Sequence, residues 1–223
     1  MTIRILIADD QADIRSGFRL ILDSQPDMTV VGEAADGQSA LALARELRPD
    51  VVLADIRMPR LDGLELTRQL AGQTRVVVVT TFDLDEYVQT ALVNGACGFL
   101  LKRSGPALLI EGVRAAVQGD TLISPQITVR LLSRLTGQPA RGGDSRMPAG
   151  PPPSAHPLTE REVEIVRLVA RGLTNAEIGA ELFISAGTAK THIANVQAKL
   201  GVRNRVGIAA WAWAQGVARA EDA

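Results

Sequence analysis

The stretch Val51-Val52-Leu53-Ala54-Asp55-Ile56-Arg57-Met58-Pro59-Arg60-Leu61-Asp62-Gly63 decides how this chain reads. Val51 to Ala54 is a short apolar run with the length and bounds of a buried strand. It delivers one carboxylate, Asp55, to the strand's carboxyl end, which is where ligands and chemistry sit in open parallel sheets. Met58-Pro59 then stops the chain, because proline fixes its own φ and keeps the preceding residue out of the helical region. Asp62 is placed to N-cap a following helix.

The surroundings repeat this unit. Apolar runs at 3–8, 30–34, 51–54, 76–80 and 98–101 alternate with amphipathic patterns near 13–24, 38–47, 64–71, 85–95 and 106–117. Five β/α alternations predict an α/β domain: a five-stranded parallel sheet, flavodoxin-like, with helices on both faces. The run Val76-Val77-Val78-Val79 does not alternate, as suits a strand buried on both sides. Gly119-Asp120 closes the unit, and Ser124-Pro125 signals a helix fading near Leu135. From Gly137 to Pro157 the chain is rich in proline and glycine and poor in large apolar residues, which reads as a spacer. Beyond it, Thr159 with Glu162 and Thr174 with Glu177 form two capping boxes, and Gly172 and Gly201 stand where helices end. Four helices near 160–171, 175–183, 186–200 and 206–216 make a small all-α domain with a helix-turn-helix pattern. The expected division is therefore 1–120, a linker over 121–157, and 158–223.

Composition fits ordinary globular protein, with 46% hydrophobic and 22% charged residues. No apolar run approaches the ~20 residues of a membrane-spanning helix, and the first residues enter a strand pattern directly, so no signal peptide and a cytoplasmic location are expected. Cys97, the single cysteine, reads as a small core residue. The net charge of −1 hides a split of −5 over residues 1–120, +3 over 121–153 and +1 over 154–223. Residues 185–207 contain Lys190, Lys199, Arg203 and Arg205 and no acid, a local hint of an anionic partner.

Two constellations carry chemistry. Asp9-Asp10 ends the first strand and Asp55 the third, and in a parallel sheet those ends are neighbours. Three converging carboxylates repel one another, and a hard divalent cation relieves this; Mg²⁺ suits one or two carboxylates, a carbonyl, waters and a phosphate oxygen. Thr80 and Lys102 fall at the ends of the fourth and fifth strands, a hydroxyl and an ammonium of the kind that hold a phosphoryl group. Asp55 is then a carboxylate nucleophile toward phosphorus. Taken singly, each residue has an ordinary use: Asp9 or Asp10 as a helix cap, Lys102 as a solvated charge, Phe99 and Tyr87 as core aromatics.

Together, Asp9, Asp10, Asp55, Met58-Pro59, Asp62-Gly63, Thr80 and Lys102 resemble the receiver domains of two-component response regulators. The resemblance covers residues 1–120. It implies that Asp55 accepts a phosphoryl group from a sensor histidine kinase with Mg²⁺ held by Asp9, Asp10, Asp55 and the backbone carbonyl of Arg57. It also makes Thr80 the switch hydroxyl and Phe99 a switch aromatic that repacks inward. An aspartate-nucleophile phosphatase is the enzyme alternative. Such enzymes place a second carboxylate two residues after the nucleophile, where this chain has Arg57, so no enzyme activity is expected. In receivers, the positions of Arg57 and Phe82 flank the path of the hydrolytic water, and two bulky side chains there should slow loss of the phosphoryl group.

Residues 156–217 resemble the LuxR-type helix-turn-helix through Leu158-Thr159-Glu160-Arg161-Glu162, Gly172 to Ile178, Thr188-Ala189-Lys190-Thr191-His192 and Lys199-Leu200-Gly201-Val202. The resemblance puts the helix from Ala186 in the major groove of double-stranded promoter DNA. Lys190 and Thr191 are the base-edge candidates, and Asn175, Thr188, His192 and Lys199 the phosphate candidates. Ala194 stands where the family often has a polar reader, and Gly187 weakens the helix start by up to ~1 kcal/mol relative to alanine. The last helix is apolar almost all round, so Val206, Ala210 and Trp213 are candidates for a homodimer contact, against the alternative of a plain core helix. The chain as a whole resembles a NarL/FixJ-type regulator of transcription, with RNA polymerase as a further candidate partner. A receiver serving only as a constitutive dimerisation module is the other reading.

Overall fold

The computed structural model describes residues 2–81, 84–124, 127 and 158–218, with backbone only at Asp85 and Trp213. The first domain runs β1 (Ile3–Ala8), α1 (Ala12–Asp23), β2 (Met28–Ala34), α2 (Gly37–Leu47), β3 (Val51–Ala54), α3 (Gly63–Leu70), β4 (Arg75–Thr80), α4 (Asp85–Val93), β5 (Gly98–Leu101) and α5 (Pro106–Gln118). All strand pairs are parallel, in the order β2-β1-β3-β4-β5. Successive strand residues feed opposite layers. Ile5, Ile7, Leu53, Val77 and Val79 pack with α1 and α5, while Leu6, Ala8, Val52, Ala54 and Val76 pack with α2 and α3. Val76 to Val79 are all buried, as a non-alternating run requires.

One strand exceeds the five expected. Leu122–Ile123 forms β6, which pairs parallel to β5 at the sheet edge. Two residues are too short for a periodicity signal, and this pair was read as linker. Its position matters because Ser124, fully buried, accepts a hydrogen bond from the Leu101 backbone N–H (3.0 Å) and lies 3.0 Å from the Ser104 hydroxyl. Ile127, also fully buried, packs in a cluster with Val78, Val88, Ala91 and Phe99. The start of the linker is thus fastened to both sides of Lys102. The expected helix from Pro125 to Leu135 and the proline-rich spacer, His156 included, lie outside the described residues except at Ile127.

The turn after Asp55 is as tight as its sequence demands. The Asp62 carboxylate accepts the Glu65 N–H (2.8 Å) and caps α3. A Cβ on Gly63 would lie 1.9 Å from the Asp55 carbonyl oxygen, so only glycine fits.

The second domain holds α6 (Glu160–Ala170), α7 (Asn175–Leu182), α8 (Ala186–Leu200) and α9 (Arg205–Ala214). Both capping boxes form, Thr159 with Glu162 and Thr174 with Glu177, and Ser185 caps α8 on Thr188 N–H. Gly201 ends α8 in the left-handed conformation. Ile165, Val166, Ile178, Ala189, Ile193, Val196, Ile208 and Ala212 form the core. Among the described residues, no helix is long and apolar enough to cross a membrane.

Candidate functional site

The parallel sheet brings the ends of β1, β3 and β5 together, and with them Asp9, Asp55 and Lys102. Asp9 and Asp55 are buried, at 1% and 4% exposure, while Asp10 faces solvent. The Lys102 ammonium bridges the pair, 2.6 Å from Asp9 Oδ2 and 2.8 Å from Asp55 Oδ2. The Asp55 Oδ1 atom accepts the Ile56 N–H (2.6 Å) and Asp9 Oδ1 the Gln11 N–H (3.0 Å). Burial pushes the Asp9 carboxyl above the ordinary aspartate range, partly offset by the Lys102 and Gln11 bonds. Burial also works against the charge on Lys102, but the bonds to Asp55 and Asp9 outweigh it and raise its pKa.

Oxygens of Asp9, Asp10 and Asp55 all lie within 4.8 Å of one another. Three hard carboxylates offset by one ammonium leave a net negative pocket, a donor set that fits Mg²⁺. Thr80 is fully buried at the end of β4, and its carbonyl accepts the Lys102 N–H (2.9 Å). Arg57 is exposed beside Asp10 at the rim of an open groove. Phe99 is fully buried among Val78, Val88, Ala91 and Ile127. Phe82 lies outside the described residues.

In the second domain, Thr188 and Thr191 on α8 are exposed and His192 is half-buried. The Thr191 hydroxyl donates to the Gly187 carbonyl (3.0 Å). The other candidates are occupied. Lys190 donates to the Val117 carbonyl at the end of α5 (2.8 Å), and the Asn175 side-chain amide donates to the Gln118 carbonyl (2.6 Å). Lys199 pairs with Glu162 (2.7 Å), so it would have to leave that carboxylate to reach a phosphate. On α9, Ile208 and Ala212 face the core, Val206 is half-buried and Ala210 exposed; the Trp213 side chain is not described.

Residues to which sequence reasoning gave no contact between the domains complete it. Arg205, 9% exposed, pairs with Asp120 (2.6 Å) and also donates to Asn175 Oδ1 (3.2 Å) and to the Leu173 carbonyl. Burial holds the Arg205 guanidinium below its usual pKa. Asn204 donates to the Leu92 (2.7 Å) and Ala96 (3.0 Å) carbonyls, at the end of α4 and before β5. Arg205 and Asp120 were legible only as part of a basic patch and as a domain-closing turn; nothing in a single sequence pairs them.

The comparisons with known proteins agree with this geometry. The receiver model of response regulators matches residues 5–114, and the model of bacterial regulatory proteins of the luxR family matches residues 156–212. The transcriptional regulatory protein LiaR of Bacillus subtilis is 39% identical over 213 residues, covering 94% of this chain and 96% of the relative. The response regulator protein VraR of Staphylococcus aureus is 36% identical over 208 residues, covering 92% and 93%. The crystal structure of the response regulator ChrA of a haem-sensing two-component system is 35% identical, covers 97% of this chain and 98% of that one, and superposes with a TM-score of 0.52. These relatives are regulators and not enzymes. With a receiver at one end and a LuxR-type helix-turn-helix at the other, this chain belongs to the two-component response regulators that control transcription through phosphorylation.

Proposed function

We propose that Asp55 is the phosphoacceptor and that the described arrangement is the closed, DNA-incompetent form of the regulator. The observation that carries this reading is that candidate DNA-contact residues of the second domain are held by the receiver. Lys190, the base-edge candidate, is bound to the receiver backbone 2.8 Å from Val117 O, and Asn175 is buried there. A duplex cannot receive the Lys190 side chain at its base edges while that side chain is held at the receiver backbone.

An Asp55 carboxylate oxygen attacks the phosphorus of a kinase phosphohistidine, and the P–N bond breaks as the P–O bond forms. Asp9, Asp10, Asp55 and the Arg57 carbonyl would hold Mg²⁺, which when bound supplies charge neutralisation for the phosphoryl oxygens. Phosphorylation turns the singly charged Asp55 carboxylate into an acyl phosphate that carries about −1.5 to −2 charges on its terminal oxygens. Lys102 and Thr80 engage this charge, and β4 and β5 adjust with them. Asn204 reads that adjustment because it grips the carbonyls that flank the end of α4 and lead into β5. Coupling of this kind is worth ~1–3 kcal/mol, so activation is a population shift.

Once released, Lys190 and Thr191 face base edges, while Asn175, Thr188, His192 and Lys199 are assigned to phosphates. Val206, Ala210 and Trp213 on α9 are assigned to a homodimer contact on promoter DNA, with RNA polymerase as a downstream partner in the cytoplasm. Residues 1–120 act as the input domain, 121–157 as the linker and 158–223 as the output domain. Acetyl phosphate with Mg²⁺ tests the reading: stable labelling that Asp55→Asn abolishes, with tighter DNA binding by the labelled form, is expected. Labelling that persists in Asp55→Asn would overturn it.

A further inference from the structure

The two domains enclose a cleft of about 270 Å³ whose charge is unbalanced. Four cations line it, Arg75 at the start of β4, Lys190 on α8, and Arg203 and Arg205 at the α8–α9 turn, against one carboxylate, Asp120. Arg205 and Asp120 satisfy each other at 2.6 Å. Among the described residues, Lys190 and Arg203 donate only to neutral main-chain carbonyls, of Val117 (2.8 Å) and Asn94 (3.4 Å). Among the described residues Arg75 is paired with no carboxylate. Three positively charged side chains from three separate elements therefore line one half-enclosed space. The carboxyl end of α5 offsets about half a charge. Burial and then the like charge of Arg75 hold the Lys190 ammonium below its ordinary pKa, as an unneutralised cluster should.

We propose that this cleft binds a small phosphate-rich anion, inorganic pyrophosphate or the phosphate tail of a nucleotide, and that occupancy holds the two domains closed. Guanidinium groups match phosphate oxygens in bidentate fashion, and three cations from different directions call for an acceptor with several oxygens. The cleft is slightly smaller than the ~300–1,000 Å³ of drug-sized sites, which suits a small anion, and domain boundaries are where such sites are found. Duplex DNA is excluded, because a half-enclosed space of about 270 Å³ cannot admit it. The anion thus takes the same Lys190 that is assigned to DNA, and its binding opposes DNA binding by mass action.

The inference rests on the closed contact and not on the assignment of Lys190 to base edges. Lys190→Gln tested on DNA alone examines that assignment separately. The test is calorimetric titration of the unphosphorylated full chain with pyrophosphate and, separately, with ATP at constant ionic strength. Saturable one-to-one binding of at least one anion is expected, weakened tenfold or more in Arg75→Gln and in the opened variant Asp120→Ala. Binding by ATP alone would identify a nucleotide ligand. Asp55 labelling should remain normal in Arg75→Gln, which verifies its fold. No saturable binding of either anion, or equal affinity in wild type and Arg75→Gln, would overturn the proposal.

Discussion

Removing the Asp120 carboxylate should open the regulator without phosphorylation. In the closed form Asp120, 14% exposed, accepts from Arg205 at 2.6 Å and from the Asn175 backbone N–H at 3.3 Å. Breaking a buried ion pair by deleting one partner costs ~3–5 kcal/mol, because the remaining charge is left uncompensated. Here the burial comes from the domain contact itself. Arg205 regains water when the domains part, so the penalty falls on the closed form and not on either fold. Residual exposure of both groups, and the bonds Arg205 keeps to Asn175 and Leu173, reduce the expected penalty to ~2–3 kcal/mol. At ~1.4 kcal/mol per tenfold, the closed-to-open ratio of Asp120→Ala falls about 30- to 150-fold. Apparent DNA affinity scales with the open fraction, so it should rise by up to that factor and level off at the value of phosphorylated wild type. The assay is fluorescence anisotropy on duplexes selected from a random pool by the phosphorylated protein, with Asp55→Asn in both proteins to exclude adventitious phosphorylation. If the double variant binds no more tightly than Asp55→Asn alone while its melting temperature is unchanged, the closed form does not restrain DNA binding and the reasoning fails.

Other outcomes follow from single contacts. Glu162 is held at a pKa of about 2, against an ordinary 4.5, by the bond from Lys199 and then the Thr159 N–H. Its folded pKa is depressed, so its stabilisation is fully present above pH 4.5 and is lost as pH falls toward 2. Glu162→Gln should flatten that acid limb in a pH series of melting curves for the full chain and lower stability at neutral pH by ~1–2 kcal/mol, the scale of a lost cap. Gly63→Ala should cost more than the ~1–3 kcal/mol of ordinary overpacking, since its methyl would meet the Asp55 carbonyl at 1.9 Å. Normal denaturant stability and normal Asp55 labelling in that variant would contradict the close approach described. Arg57→Ala and Phe82→Ala should each shorten the phosphoryl half-life severalfold, read by loss of label over time; unchanged half-lives in both would remove these side chains from the water path.

Most of the receiver was legible because its signals are local. The run of valines fixed a doubly buried strand, Asp62 fixed a cap, and strand order made Asp9, Asp55 and Lys102 neighbours. The capping boxes at Thr159 and Thr174 likewise placed α6 and α7 to within a residue or two. What escaped was long-range and polar. Leu122–Ile123 is too short to show a period, and it becomes a strand only because β5 offers an unpaired edge. Arg203, Arg205 and Lys190 read as a basic face awaiting an anion, yet most of their bonds go to backbone carbonyls, which carry no side-chain signature. Lys199 reads as a phosphate candidate because its ion pair with Glu162, 37 residues earlier, has no signature in a single sequence.

The bond from Lys190 to Val117 has a consequence for how this regulator can diverge. The acceptor is a peptide carbonyl, so the receiver presents the same oxygen whatever side chain occupies position 117. A donor of similar reach at position 190, arginine or glutamine, could take that oxygen as lysine does and would read a different base pattern once in the groove. Under the proposed closed form, repression of the unmodified protein would place little constraint on the promoter alphabet. Duplicated copies of such a gene could acquire new binding sites one substitution at a time while remaining silent until phosphorylated.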